Sequence, residues 1–317
     1  MRRHLTGLIA AAYTPMHADG SLNLDATAAI VDHLAAAGVT GLYVCGSTGE
    51  GPSLTCQERR AVAESYVRAA RGRLPVIVQV GHNSLAESRQ LAEHARRICA
   101  DAVSAAPPSY YEIASVSVLV DCMAEIAAAS GDLPFYYYHI PALTGVAVDM
   151  VEFLRQASGR LANLAGLKFT APALDEFQAC LELADRRFDV LWGLDEMLLG
   201  ALAVGALGAV GSTYNIAAPL YRRLIGAFEA RRLEEARHCQ FMAVQMIRIL
   251  NRYPFHSAVK AVLEMLGIDC GPCRLPIAAI RPEDVAPLRG ELDSIGFFQW
   301  ARTKGPEPRV DTSPSHG

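Results

Sequence analysis

Lysine is scarce in this chain, with three residues against twenty-six arginines. One of them, Lys168, closes the apolar run Leu161-Ala162-Asn163-Leu164-Ala165-Gly166-Leu167, where a buried strand should finish. An arginine stays protonated in a protein, whereas a lysine amine in an apolar pocket gives up its proton far more readily and becomes a nucleophile toward a ketone. A strand-end lysine can also snorkel to solvent. The residue alone therefore leaves two readings: an imine-forming amine or a solvated strand end.

Other segments carry complementary chemistry. Gly46-Ser47-Thr48-Gly49-Glu50-Gly51 is a glycine-rich turn whose hydroxyls and free N–H groups suit a carboxylate or phosphate, although such a sequence can be only a turn. In Phe135-Tyr136-Tyr137-Tyr138-His139-Ile140-Pro141, strand alternation puts Tyr136 and Tyr138 on one face and Tyr137 on the other. Tyr138 would reach the strand end, where its hydroxyl could relay a proton to a nearby lysine or simply pack. His139 could titrate, with a loop role before Pro141 the alternative. Asp195-Glu196, after Gly193-Leu194, could cap a helix or accept hydrogen bonds from sugar hydroxyls, and Gly211-Ser212-Thr213-Tyr214-Asn215 adds another polar cluster. Cys270-Gly-Pro-Cys273 has zinc or redox spacing, but no second ligand pair lies nearby, so coincidence is expected. No histidine stands at a matching strand end, and a metal site is not expected.

These residues need a scaffold that gathers strand ends. Apolar strand-like runs at Leu8 to Ala12, Gly41 to Cys45, Pro75 to Val80, Ala102 to Ala105, Pro134 to Tyr138, Leu164 to Lys168, Asp189 to Trp192 and Gly208 to Gly211 alternate with amphipathic helical stretches. The latter include Asp25 to Ala37, Gln57 to Ala70, Leu85 to Arg97 and Val116 to Ala129. Eight such units, with no G-x-G-x-x-G after the first, predict an α/β fold: a (β/α)8 TIM barrel over residues 1–230. Its reacting groups should sit at the C-terminal strand ends. A helical C-terminal extension follows over 231–300, with helices at Leu233 to Leu250, Phe255 to Leu266 and Pro282 to Leu292. The remaining 301–317, rich in Pro, Ser and charge, is expected to be disordered.

Composition narrows the partners. The 317 residues are 51% apolar with a net charge of -4, and their arginines are interspersed with acids, so no nucleic-acid surface is expected. No unbroken apolar segment is long enough for a membrane helix, and Pro15, His17 and Asp19 interrupt any secretory signal. Eight irregularly spaced cysteines suggest reduced thiols. A cytoplasmic location is the expectation.

Four ordered stretches resemble the N-acetylneuraminate lyase branch of the dihydrodipicolinate synthase superfamily of lysine Schiff-base barrels. They are Gly41-Leu-Tyr-Val-Cys-Gly-Ser-Thr-Gly-Glu50, Tyr136-Tyr-Tyr-His-Ile-Pro-Ala-Leu-Thr-Gly145, Gly166-Leu-Lys-Phe-Thr170 and Gly208-Ala-Val-Gly-Ser-Thr-Tyr-Asn215. The resemblance implies reversible aldol cleavage of N-acetylneuraminate to pyruvate and N-acetylmannosamine, with no cofactor beyond a covalent imine on Lys168. By the same resemblance Tyr138 shuttles the proton and Ser47 and Thr48 hold the keto-acid carboxylate. Tyr110 would complete a relay across a subunit interface, which implies a homotetramer, and Thr170, Gly193, Asp195, Glu196 and Ser212 would hold the sugar end. Leu143 stands where the synthase branch carries a carboxylate-binding arginine, which favours the lyase branch. Departures at Ser109, Tyr13 and Ala171-Pro172 bear on pocket shape. Two alternatives remain: a dihydrodipicolinate synthase-like enzyme or another pyruvate-dependent 2-keto acid aldolase, and a catalytically silent binder of sialic acid or pyruvate.

Overall fold

The computed structural model describes residues 5–301. Its strands are β1 (Gly7–Ala11), β2 (Gly41–Val44), β3 (Val76–Gln79), β4 (Ala102–Ala105), β5 (Phe135–His139), β6 (Leu164–Phe169), β7 (Asp189–Trp192) and β8 (Gly208–Gly211). They pair in parallel in chain order, and β8 returns to β1, closing the expected barrel. Every strand residue except Gly7 is buried, because one face meets the barrel interior and the other meets helices. The expected strands match the observed ones to within one residue at either end. Two of those ends have clear causes: Pro75 has no N–H for a ladder, and Cys45 leaves the extended region at φ 58°.

The helices are α1 (Thr27–Ala37), α2 (Cys56–Ala70), α3 (Leu85–Arg97), α4 (Val116–Ala129), α5 (Pro141–Thr144), α6 (Met150–Ser158), α7 (Leu174–Glu182), α8 (Leu198–Ala203) and α9 (Tyr214–Glu229) around the barrel. Beyond it lie α10 (Leu233–Leu250), α11 (Phe255–Met265), α12 (Pro282–Ser294) and α13 (Phe297–Trp300). Local sequence sets several starts. Thr55 and Glu58 form a reciprocal capping box on α2, and the side chains of Ser84, Ser115 and Asp149 cap α3, α4 and α6. The expected helix at Asp25 begins instead as a short 3-10 turn, Leu24–Ala26, before α1. Among the described residues no helix is long and apolar enough to cross a membrane. Apart from Ala301, which caps α13, the tail expected to be disordered lies outside the described residues.

Strand alternation sorts the core into two clusters. Ile9, Ala11, Tyr43, Ile77, Tyr136, Tyr138, Leu191 and Val210 fill the barrel, while Leu42, Val44, Tyr137, Leu167 and Phe169 pack outward against helices. One irregularity matters for the chemistry. Phe135 pairs with Leu164 but Tyr136 pairs with Gly166, so β6 bulges by one residue at Ala165. Ala165 already lies in the interior cluster, and strict alternation from it would turn Leu167 inward and Lys168 outward. The bulge resets the phase, and Lys168 comes into register with inward-facing Tyr138. Gly166 permits it: a Cβ there would stand 1.8 Å from the Asp189 carbonyl oxygen.

The extension is fastened to the loop after β2. Lys260 on α11 and Glu50 form an ion pair at 2.7 Å with side chains 2% and 0% exposed. The same ammonium donates to the carbonyls of Thr14 (3.0 Å) and Pro272 (2.7 Å), and the Arg274 N–H donates to the other Glu50 oxygen at 2.7 Å. Arg274 also grips Glu58 with two nitrogens at 2.9 and 2.6 Å, which holds that carboxyl down at about 2. Cys270 and Cys273 lie in this strap as free thiols. Burial pushes them up to about 12 and about 11, away from the thiolate that metal or redox chemistry requires. Among the described residues no group of three His, Cys, Asp or Glu side chains could hold a metal ion.

Candidate active site

Lys168 is buried, 5% exposed, and does not snorkel outward. Its Nζ lies 4.1 Å from the ring centroid of Tyr43 and 4.0 Å from that of Tyr138, two rings that meet edge to face at 5.6 Å. Aromatic faces favour the positive charge of an iminium formed on that nitrogen. Tyr43 is oriented by donating its hydroxyl to Ser104 Oγ at 3.0 Å, and burial raises its phenol well above the ordinary range. Tyr138 lines the cavity above the amine, and its hydroxyl has no hydrogen-bond partner among the described residues. A buried amine beneath an unengaged phenol suits imine formation with proton transfer.

The cavity measures about 250 Å³ and is bordered by Ser47, Tyr138, Leu143, Lys168, Thr170, Gly193, Asp195, Glu196 and Ser212. All of these were expected from the sequence. Thr48 is buried behind them, its Oγ1 2.6 Å from Ser212 Oγ, so it reaches the site through Ser212. The turn bearing Ser47 and Thr48 is shaped by Glu50 at φ 56° and by Gly51, where a Cβ would stand 1.9 Å from the Cys45 carbonyl oxygen. Thr14 Oγ1, in the loop after β1, donates to the Gly49 carbonyl at 2.6 Å and braces the turn.

Asp195 anchors the far wall. One carboxylate oxygen accepts from the Thr213 N–H at 2.8 Å and the Thr213 hydroxyl at 2.6 Å, and Tyr221 stands 2.8 Å behind that hydroxyl. The other oxygen, Oδ1, occupies space that a Cβ on Gly211 would enter at 2.0 Å. Burial raises the carboxyl to about 6 against the lowering effect of the Thr213 bonds. Glu196 is exposed at the rim, as is Leu143, 67% accessible on α5. Gly193 is required by Thr170, whose Oγ1 lies 2.1 Å from where a Cβ would be.

Two sequence candidates lie apart. Tyr110 is 81% exposed and stacks edge to face on Tyr111 at 5.1 Å, outside the cavity. His139 points away from the mouth, between Tyr137 and Phe169, and burial pushes its imidazole down to about 4. Sequence reasoning missed Tyr43, whose inward phase on β2 was its only signal. It also missed Ile247, Asn251, Phe255 and His256, which come from the extension to border the same cavity. The Asn251-to-Pro254 break between two helices marks that corner in the sequence, but nothing there tells that it folds over the barrel mouth.

Known proteins share this fold and much of this sequence. The model of the dihydrodipicolinate synthetase family matches residues 4–293. N-acetylneuraminate lyase of Rattus norvegicus is 38% identical over 308 residues, covering 96% of this chain and 96% of the relative. That of Xenopus tropicalis is 42% identical over 279 residues, 87% of this chain and 91% of the relative. The solved structure of Proteus mirabilis N-acetylneuraminate lyase superposes with a TM-score of 0.91 at 39% identity, covering 93% of this chain and 100% of that one.

Proposed function

This chain belongs to the dihydrodipicolinate synthetase family, and from that premise we propose that it is a class I aldolase cleaving N-acetylneuraminate reversibly to pyruvate and N-acetylmannosamine. The carrying observation is the Lys168 amine, held between the rings of Tyr43 and Tyr138 in a cavity whose far wall is polar. Lys168 attacks the C2 ketone of the open-chain sugar, and loss of water gives an iminium. Breaking the C3–C4 bond sends its electron pair into that iminium, leaving an enamine, while Tyr138 takes the C4 hydroxyl proton. Protonation at C3 and hydrolysis then release pyruvate and free the amine. Ser47 and Thr48 hold the carboxylate end, and Thr170, Gly193, Asp195, Glu196 and Ser212 line the sugar end. The lysine is the electron sink, so no further cofactor is needed.

Leucine at 143 supports cleavage of a sugar acid over the synthase reaction, since it offers no guanidinium for a second carboxylate. Tyr110, exposed in the single chain, is assigned to a neighbouring subunit's relay in a homotetramer. Free thiols at all eight cysteines fit a reducing cytoplasm. The test is borohydride reduction in the presence of pyruvate, peptide mapping, and a parallel assay of pyruvate release from N-acetylneuraminate. An adduct on Lys168 together with release supports the reading. An adduct without release redirects the substrate to other 2-keto acids, and no adduct refutes the imine.

A further inference from the structure

His256 opens α11 on the barrel-mouth side of the extension, and its ring borders the same cavity as Asp195 and Ser212. Three contacts fix it. Nδ1 lies 3.3 Å from the Tyr13 hydroxyl, and the imidazole meets Tyr13 and Phe255 edge to face at 5.9 and 5.3 Å. One helical turn on, Lys260 is pinned to Glu50, so the helix face that carries His256 cannot swing away. The Tyr13 hydroxyl is fully buried with its ring and has no hydrogen-bond partner but Nδ1 among the described residues.

That isolation determines the proton's place. If Tyr13 only accepted from Nδ1, its own buried O–H would have no acceptor, so we take Tyr13 to donate and Nδ1 to accept, which puts the ring hydrogen on Nε2. Burial lowers the imidazole, which keeps the ring neutral. Nε2 has no hydrogen-bond partner among the described residues, and it is the ring nitrogen left for a ligand. In chain order the mouth runs from Lys168 on β6 past Asp195 after β7 and Ser212 after β8 to Tyr13 after β1. A substrate tethered at Lys168 and lying along Asp195 and Ser212 ends at His256.

We propose that His256 is a specificity-determining residue whose Nε2–H donates to an oxygen of the amino-sugar half of the substrate, with Tyr13 fixing its tautomer. The proposal rests on the N-acetylneuraminate reading above and adds an imidazole donor beside the carboxyls of Asp195 and Glu196 and the hydroxyl of Ser212.

Steady-state cleavage of N-acetylneuraminate by His256→Ala, His256→Gln and Tyr13→Phe tests it, beside borohydride trapping of pyruvate on each. His256→Ala should raise KM about three- to tenfold, the span of one neutral hydrogen bond, while kcat falls less than twofold. His256→Gln keeps a donor at the same reach and should recover most of the loss, and Tyr13→Phe should fall between. Half-saturation of pyruvate trapping should not move, because pyruvate lacks the sugar half. An unchanged KM in His256→Ala, a His256→Gln as poor as the alanine, or parallel weakening of pyruvate trapping overturns the proposal. A wild-type chain that traps pyruvate yet leaves N-acetylneuraminate intact refutes the substrate reading and this proposal with it, whereas a defect confined to the variants separates the two.

Discussion

Replacing Lys260 by methionine removes the cation that holds the loop after β2 to the extension. It leaves the Glu50 carboxylate wholly buried without its cation, although the Arg274 N–H still donates to it, and it strips the Thr14 and Pro272 carbonyls of a partner. Breaking a buried pair from one side costs about 3–5 kcal/mol, because the orphaned charge stays desolvated. At about 2.1 cal/mol/K per residue, the 317 residues give an unfolding entropy of about 0.67 kcal/mol/K, so Tm should fall by about 4 to 8 °C. Lys260→Met combined with Glu50→Leu removes the orphaned charge and should regain part of that loss, the remainder reflecting the two carbonyls and the Arg274 N–H. The same loop carries Ser47 and Thr48, so half-saturation of pyruvate trapping should rise about tenfold in Lys260→Met. Differential scanning calorimetry and borohydride trapping read both effects. A Lys260→Met protein melting within about 1 °C of wild type, or a double variant no more stable than the single, would refute the argument that the buried charge is what the ammonium compensates.

Lys168→Arg should abolish cleavage as fully as Lys168→Ala, since a guanidinium cannot deprotonate to attack the ketone; intact mass after borohydride should show no adduct in either. Tyr138→Phe should lower kcat by about 10² to 10⁴ while the pyruvate adduct still forms, because the phenol is assigned to proton transfer and not to the imine. Asp195, raised by burial to about 6, holds its proton in the fold where the unfolded carboxyl near 3.8 has lost it. Its stabilising contribution is therefore complete below about pH 4 and lost as pH rises through about 6. Tm of Asp195→Asn should lack that decline between pH 4 and 7, whereas wild-type KM should worsen below about pH 6 as the acceptor becomes protonated; a KM flat from pH 5 to 7 would remove Asp195 from sugar binding. His139→Leu should leave kcat within about twofold and stability unchanged or higher, since its buried Nδ1 has no hydrogen-bond partner among the described residues and its ring packs against Phe169; a larger fall in turnover would assign it chemistry.

The amino-acid order determined the barrel, because eight apolar runs separated by amphipathic segments have no better way to bury both strand faces than a closed parallel sheet. It also placed Lys168, Tyr138, Ser47, Asp195 and Ser212 at strand ends, where a barrel gathers side chains from distant parts of the chain. What it could not give was direction and company. Alternation counted along β6 from Ala165 points Lys168 outward; the one-residue bulge beside Gly166, seen in the pairing with β5, turns it inward. Tyr43 and Lys168 lie far apart in sequence, and their contact follows from closure of the cylinder. The corner holding His256 depends on α11 being drawn over the mouth by the Lys260–Glu50 pair, a contact between residues 210 positions apart. Local periodicity reports which residues must be buried; which buried groups meet is decided by long-range pairing, where one residue of register reverses the facing of a side chain.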